Sequence, residues 1–237
     1  MPMLIAASLV FLALHLLVSG TRLRDAITDG IGERPYLGLF SLASLGAIVW
    51  LAMSYNRAQS GGNDPLLYDL GEGIRHAGIP VVALAFLLGV QGLFVNNPTR
   101  VQPSGTMPVD PASVSGVLRI TRHPFLWGVV IWSGFHLAAN GDEASAIFFG
   151  TFFVVALMGT FAIDAKRRRK LGAAWDAFAS RTSNVPFAAV FAGRSSLHLG
   201  ESFGWRFWVA AIFFVAILFV HYHLFGVSPF PGGWVPF

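Results

Sequence analysis

No cysteine occurs among the 237 residues. That absence excludes disulfides, thiolate zinc sites, iron–sulfur clusters, thiol nucleophiles and haem attached through Cys-x-x-Cys-His. Charge is scarce as well. Asp, Glu, Lys and Arg make up 12% of the chain, against roughly 25% in an ordinary soluble domain. Intrinsic disorder, a secreted disulfide scaffold and a soluble nucleic-acid binder all fit poorly. The net charge is +4, but the basic residues lie between apolar runs instead of on one polar domain, so no nucleic-acid partner is expected. No internal repeat is visible, and the chain reads as one domain.

Apolar and aromatic residues are abundant: 54% of the chain is hydrophobic, with 22 Phe and 7 Trp. Six runs approach the ~20 residues needed to cross ~30 Å of hydrocarbon. They are Met3–Gly20, Pro35–Tyr55, Ile79–Val95, Phe125–Ala139, Ala146–Ile163 and Phe207–Phe225. The expected fold is an all-α integral membrane protein with six transmembrane helices. The fourth run is the shortest and extends back to about Gly116 if its first turns lie at the interface.

Loop charge orients the spans. The loops after the first, third and fifth runs hold all the Lys and Arg except Arg57 and Arg75, the asymmetry of cytoplasmic loops. Both termini then face the non-cytoplasmic side. No basic residue precedes the first apolar run, so it reads as a retained span and not a cleaved signal. The run Lys166-Arg167-Arg168-Arg169-Lys170 fixes topology and attracts anionic lipid, making membrane lipid an expected partner. The tail Ser228–Phe237, with Phe230, Trp234 and Phe237, reads as an aromatic belt at the outer interface. The expected setting is a bacterial inner membrane.

Ionisable groups inside a span are costly and therefore candidate functional groups. Here they are histidines. His15 lies in the first run, with Ser19 on the same helical face. His136 lies in the fourth, next to Trp132 and Phe135. Two imidazoles from facing helices can hold a haem iron axially, another metal, or simply carbonyls of neighbouring helices. Counted along the helices, His15 lies ~7 Å from the inner end of its span and His136 ~18 Å from the start of its own, so the two must be brought to one depth. His123, in Arg122-His123-Pro124, competes as a shallower ligand or serves only at a helix start. His221 and His223 read as interfacial. Asp164 has a local explanation, pairing with Arg167 or Arg168 one turn on.

Three stretches together carry a resemblance. The first is His15-x3-Ser19-Gly20, Leu23-Arg24-Asp25 and Gly32-Glu33-Arg34. The second is Leu118-Arg119-Ile120-Thr121-Arg122-His123-Pro124 with Trp132 and His136-Leu137-Ala138-Ala139-Asn140-Gly141-Asp142. The third is Asp164, Gly172-x2-Trp175 and Thr182-Ser183-x-Val185-Pro186-Phe187. In this order they resemble the NnrU family, with 1–192 as the family-like membrane domain and 193–237 adding the sixth span and tail.

The NnrU family is in turn similar to plastid 15-cis-zeta-carotene isomerase, an integral membrane haem b protein. The resemblance implies haem b as cofactor, axial histidines at His15 and His136, and redox-dependent isomerisation of an apolar polyene. One axial ligand would be released on reduction. Asn56 stands where that isomerase has a further histidine. Bacterial members carry a name tied to nitrite and nitric oxide reduction, which implies a small diatomic ligand instead. Either chemistry needs an electron donor. Arg24, Arg119, Arg122 and Arg22 are the expected propionate partners, His123 has a secondary role, and Trp132 and Phe135 are expected pocket walls. The segments around Arg122-His123-Pro124 and Val185-Pro186 also resemble isoprenylcysteine carboxyl methyltransferases. That alternative implies S-adenosylmethionine bound by Arg122, His123 and Asp164. A non-catalytic assembly or transport protein is the third class.

Overall fold

The computed structural model describes residues 1–99 and 114–235; Arg100, among the orienting charges, and Phe237 of the aromatic tail lie outside them. The apolar runs are helical, as they must be where no water can satisfy the backbone amides. Helix α1 (Pro2–Leu12) has a proline in its first turn, where a missing N–H costs nothing. It continues as a π-helical segment, Ala13–Val18, closed by the Ser19 N–H donating to the Leu14 carbonyl at 3.0 Å. The chain then bends by 76° into α2, Leu23–Ile31. Next come α3 (Glu33–Ser60), the short α4 (Glu72–His76), α5 (Gly78–Phe94) and the one-turn α6 (Val117–Ile120). After them run α7 (Pro124–Ala139), α8 (Glu143–Leu171), α9 (Ala173–Arg181), the one-turn α10 (Ala188–Phe191) and α11 (Trp205–Phe225).

Among the described residues there is no strand, only an isolated bridge between Leu66 and Asp142. Helices α3, α8 and α11 are long and apolar enough to cross a membrane, and the bent pair of α1 and α2 makes up to four. Helices α5 and α7 are apolar but have only 17 and 16 residues. The fourth run does not begin at Gly116. That glycine has φ +55° and precedes α6. The helix restarts at Pro124 because the residue before a proline disfavours helical geometry.

Helices pack in the order α3, α1, α8, α7, α5, α11, with α3 also touching α8. One apolar core joins Leu4, Ala7 and Phe11 of α1 to Ala47 and Leu51 of α3 and Ala144 of α8. A second sets Trp175 and Phe178 of α9 against Leu88, Val117 and Leu118. Helices α5 and α7 meet through glycines. A Cβ on Gly128 would stand 2.6 Å from the Gly89 Cα and 2.7 Å from the Ala85 carbonyl oxygen. Close backbone approach through small residues is how apolar helices associate without a hydrophobic drive. Outward faces stay apolar, with Leu39, Leu42 and Leu45 on α3 and Trp208, Ile212 and Phe213 on α11 all exposed. Water would penalise patches of that size, whereas lipid solvates them.

Candidate functional site

His15 and His136 are built alike. Each imidazole Nδ1 donates to the carbonyl four residues back, His15 to Phe11 at 2.9 Å and His136 to Trp132 at 2.8 Å. Each ring also lies against the aromatic side chain of that same residue, with centroids 4.2 Å apart for Phe11–His15 and 5.1 Å for Trp132–His136. Fixing the proton on Nδ1 leaves the Nε2 lone pair outward, the tautomer a metal-ligating histidine needs.

The two histidines are linked through one aromatic layer. Phe152 of α8 touches Phe11 at 5.4 Å and Trp132 at 5.7 Å. Helical side chains lean toward their own N-terminus. Each imidazole therefore leans back on its own anchoring residue, Phe11 or Trp132, and both of those rings touch Phe152. Phe149 stacks on His136 at 4.7 Å, and Phe40 of α3 meets His15 edge-on at 5.4 Å. The two imidazoles do not touch each other in this arrangement.

Phe40 has a neighbour one turn away on each side, Tyr36 and Ser44, whose hydroxyls are buried without a hydrogen-bond partner. An orphaned buried hydroxyl is costly, and two of them flank the contact with His15. His15 itself sits in the π-helical segment, a distortion often found at functional positions.

His123 belongs to a different cluster. It is buried at 2% exposure, and its Nε2 lies 2.7 Å from Asp164 Oδ1. Arg122 binds the same carboxylate through Nε, at 3.0 Å to each oxygen, and through Nη2 at 2.6 Å. Asn184 Nδ2 donates to Asp164 Oδ2 at 3.1 Å. The Arg122 backbone N–H donates to Ser183 O, its Nη1 donates to Thr182 O, and its own carbonyl accepts from Asn97 and Thr99. Arg122 also lies over the Trp175 ring at 5.6 Å. Together these bonds clasp residues 182–187 onto the start of α7. Asp164 thus reaches across the fold instead of pairing one turn along its own helix, while Arg168 turns to Asp176 at 3.4 Å. Burial pushes the His123 imidazole below its ordinary pKa, outweighing the carboxylate beside it.

Two of the other expected propionate partners, Arg24 and Arg119, also hold carboxylates. Arg24 Nη2 donates to Glu33 at 2.8 Å. Arg119 grips Glu201 through Nε at 2.8 Å and Nη2 at 3.0 Å. With the Gly116 N–H donating as well, Arg119 holds the Glu201 carboxyl down to about 2. The structure therefore brings Arg122, His123 and Asp164 together, sets His15 and His136 about a second locus, and leaves Arg24 and Arg119 in separate ion pairs. His221 bonds the Val227 carbonyl at 2.8 Å, and Phe230 packs on Trp234 at 4.8 Å.

With this geometry in view, comparison with known proteins is informative. The family profile described as NnrU protein matches residues 3–229. This chain belongs to the NnrU family. It is 28% identical over 195 residues, 80% of this chain and 50% of the relative, to 15-cis-zeta-carotene isomerase, chloroplastic, of Arabidopsis thaliana. The Zea mays protein of the same name is 34% identical over 83 residues, 35% of this chain and 23% of that protein. The chain thus spans half the length of the Arabidopsis relative or less. No solved structure matches it significantly. Both histidines and the Arg122 clasp fall inside the region matched by the NnrU profile.

The aromatic residues that connect the histidines, Phe11, Phe40, Phe149 and Phe152, are not singled out by the sequence reading, nor are Tyr36, Ser44 and Asn184. A signal was available for two positions. Phe11-x3-His15 and Trp132-x3-His136 share one spacing, an aromatic residue exactly one turn before each histidine. Among the described residues no group of three or more His, Asp or Glu is arranged to hold a metal ion. A haem needs only two axial nitrogens. The outward Nε2 atoms, the aromatic layer and the orphaned Tyr36 and Ser44 hydroxyls fit that donor set.

Proposed function

We propose that this NnrU-family chain is a six-span haem b membrane protein that isomerises an apolar polyene in a redox-dependent way. Both termini would face the non-cytoplasmic side of a bacterial inner membrane. The observation that carries the proposal is the matched pair of Nδ1-anchored histidines leaning on one aromatic layer. His15 and His136 would hold the haem through Nε2. When bound, haem b supplies a redox-active iron close to a hydrocarbon substrate.

The chain's own residues do the rest. The Phe11 and Trp132 carbonyls fix the tautomer and ring orientation of the two ligands. Phe40, Phe149, Phe152 and Trp132 exclude water and offer flat apolar surface for a conjugated chain. The π-helical turn at His15 interrupts regular i→i−4 bonding, so of the two histidines that would hold the haem, His15 would stand on the less regular backbone.

Aromatic walls favour a polyene over a small diatomic ligand, which would need little of that surface. The methyltransferase reading depends on Arg122, His123 and Asp164. Their polar groups are already committed to one another and to residues 182–187, leaving no free donor set for S-adenosylmethionine.

The test is incubation of the purified, haem-loaded protein with 15-cis-zeta-carotene under reducing and oxidising conditions, followed by chromatographic separation of the isomers. Conversion only in the reduced state supports the proposal. Absence of conversion in both states, with tight nitric oxide binding, transfers the function to the diatomic reading.

A further inference from the structure

A pocket of about 400 Å³ opens where α2, the start of α3 and the end of α8 meet. That volume lies within the roughly 300–1,000 Å³ of small-ligand sites. Its two walls carry opposite charge. Lys166, Arg169 and Lys170 line one wall, at i, i+3 and i+4 and so on one face of α8. Asp25 and Asp29 line the other, one turn apart on α2. Arg24 is buried, bonded to Glu33 at 2.8 Å and 3.8 Å from Asp25, so its charge is met by carboxylates of its own wall, while Asp29 has no ion pair among the described residues.

The walls do not close on each other. None of Lys166, Arg169 and Lys170 has a carboxylate within 4.0 Å among the described residues, although α8's neighbouring Arg168 reaches Asp176 at 3.4 Å. Opposed charges held apart across a cleft complement a molecule with both signs. A purely anionic group would meet repulsion from Asp25 and Asp29. A purely cationic one would meet it from three basic side chains.

The position narrows the chemistry further. Lys166 stands three residues beyond Ile163, the end of the apolar stretch, and α2, which lines the same pocket, turns away from α1 by 76°. The pocket therefore stands at headgroup depth. We infer that it binds a phosphoethanolamine zwitterion, with the phosphate against Lys166, Arg169 and Lys170 and the ammonium against Asp25 and Asp29. Phosphate and ammonium are separated by only two carbons in such a group, so one molecule can span both walls. The inference does not depend on the haem reading.

The full-length chain, purified in detergent and stripped of lipid, is titrated with palmitoyl-oleoyl phosphatidylethanolamine or phosphatidylglycerol and read by native mass spectrometry. Wild type is expected to hold one phosphatidylethanolamine with at least tenfold preference. Asp29→Asn, an isosteric change at an exposed position, removes the ammonium partner and abolishes the preference while phosphatidylglycerol binding persists. The double variant Lys166→Ala/Lys170→Ala lowers binding of both lipids at least tenfold, with its melting curve checked against wild type. Soluble glycerophosphoethanolamine distinguishes the source: displacement of the lipid assigns the site to the free headgroup, and no displacement assigns it to the lipid. Equal binding of both lipids by wild type, or an unchanged preference in Asp29→Asn, overturns the inference.

Discussion

Phe152 meets Trp132 at 5.7 Å, nearly edge-on, and so places the aromatic residue that anchors His136 against the one that reaches Phe11. This contact gives the two intramembrane histidines a common reference level. Counted from helix ends, their depths differ. The shared contact with Phe152 ties the two anchoring residues, Phe11 and Trp132, together, and each imidazole tilts back toward its own anchor.

Tyr36 and Ser44 supply a test that separates a structural site from a binding site. If their hydroxyls serve no ligand, Tyr36→Phe and Ser44→Ala relieve two buried unsatisfied groups at no functional cost. The account expects both variants to melt at or above the wild-type temperature without haem, yet to retain less haem through purification. Unchanged haem content with raised stability would remove these hydroxyls from the site.

The Arg122–Asp164 clasp is expected to be structural. Side-chain exposures are 12% and 19%, so removing the carboxylate strands a partly buried guanidinium and costs about 3 kcal/mol. Asp164→Asn should therefore lower the melting temperature by several degrees, with loss of protease resistance in residues 182–187. A variant as stable as wild type but without activity would point to a catalytic role for Asp164 and revive the methyltransferase reading.

Stability should fall on acidification in two windows. His123 has a folded pKa below its ordinary 6.5 because burial disfavours the imidazolium. Below pH 6.5 the unfolded chain takes up that proton first, so the native state loses stability as pH drops toward and through the folded value. Glu201, held to about 2 against an ordinary 4.5, contributes above pH 4.5 and loses that contribution as pH falls toward 2. Melting curves of wild type and His123→Gln between pH 7.5 and 5 check the first window. The slope should flatten in the variant, and equal slopes would contradict the assignment.

Gly128→Ala places a methyl group 2.6 Å from the Gly89 Cα, forcing α5 and α7 apart. Overpacking of this kind costs about 1–3 kcal/mol. Gly150→Ala on α8, where nothing lies within 4 Å of the added carbon, should be neutral or slightly stabilising. Equal melting temperatures for the two variants would show that the glycine contact does not close the helix pair.

Much of this fold is legible in the sequence, because apolar runs mark where the helices lie, although only α3, α8, α11 and the bent pair of α1 and α2 are long and apolar enough to cross a membrane. The break before Pro124 is legible, since proline restricts its predecessor and Arg119, Thr121, Arg122 and His123 interrupt the hydropathy between Gly116 and Pro124. Asp164 is misleading. Its sequence neighbours offer basic partners one turn away, whereas tertiary folding brings Arg122 and Asn184 to it from 42 and 20 residues off. The π-helical turn at His15 leaves no trace, for hydropathy does not encode which carbonyl an amide selects. His15 and His136 are legible as rare polar residues in apolar runs. Phe149 and Phe152 are not, being two phenylalanines among 22.

The most direct measurement is an absorption spectrum of the detergent-purified protein, oxidised and then dithionite-reduced, beside His15→Ala and His136→Ala. The account predicts a Soret band with α and β bands that sharpen on reduction, weakened or shifted in both variants. A colourless wild type from haem-sufficient cells, or a spectrum identical in all three proteins, would contradict it.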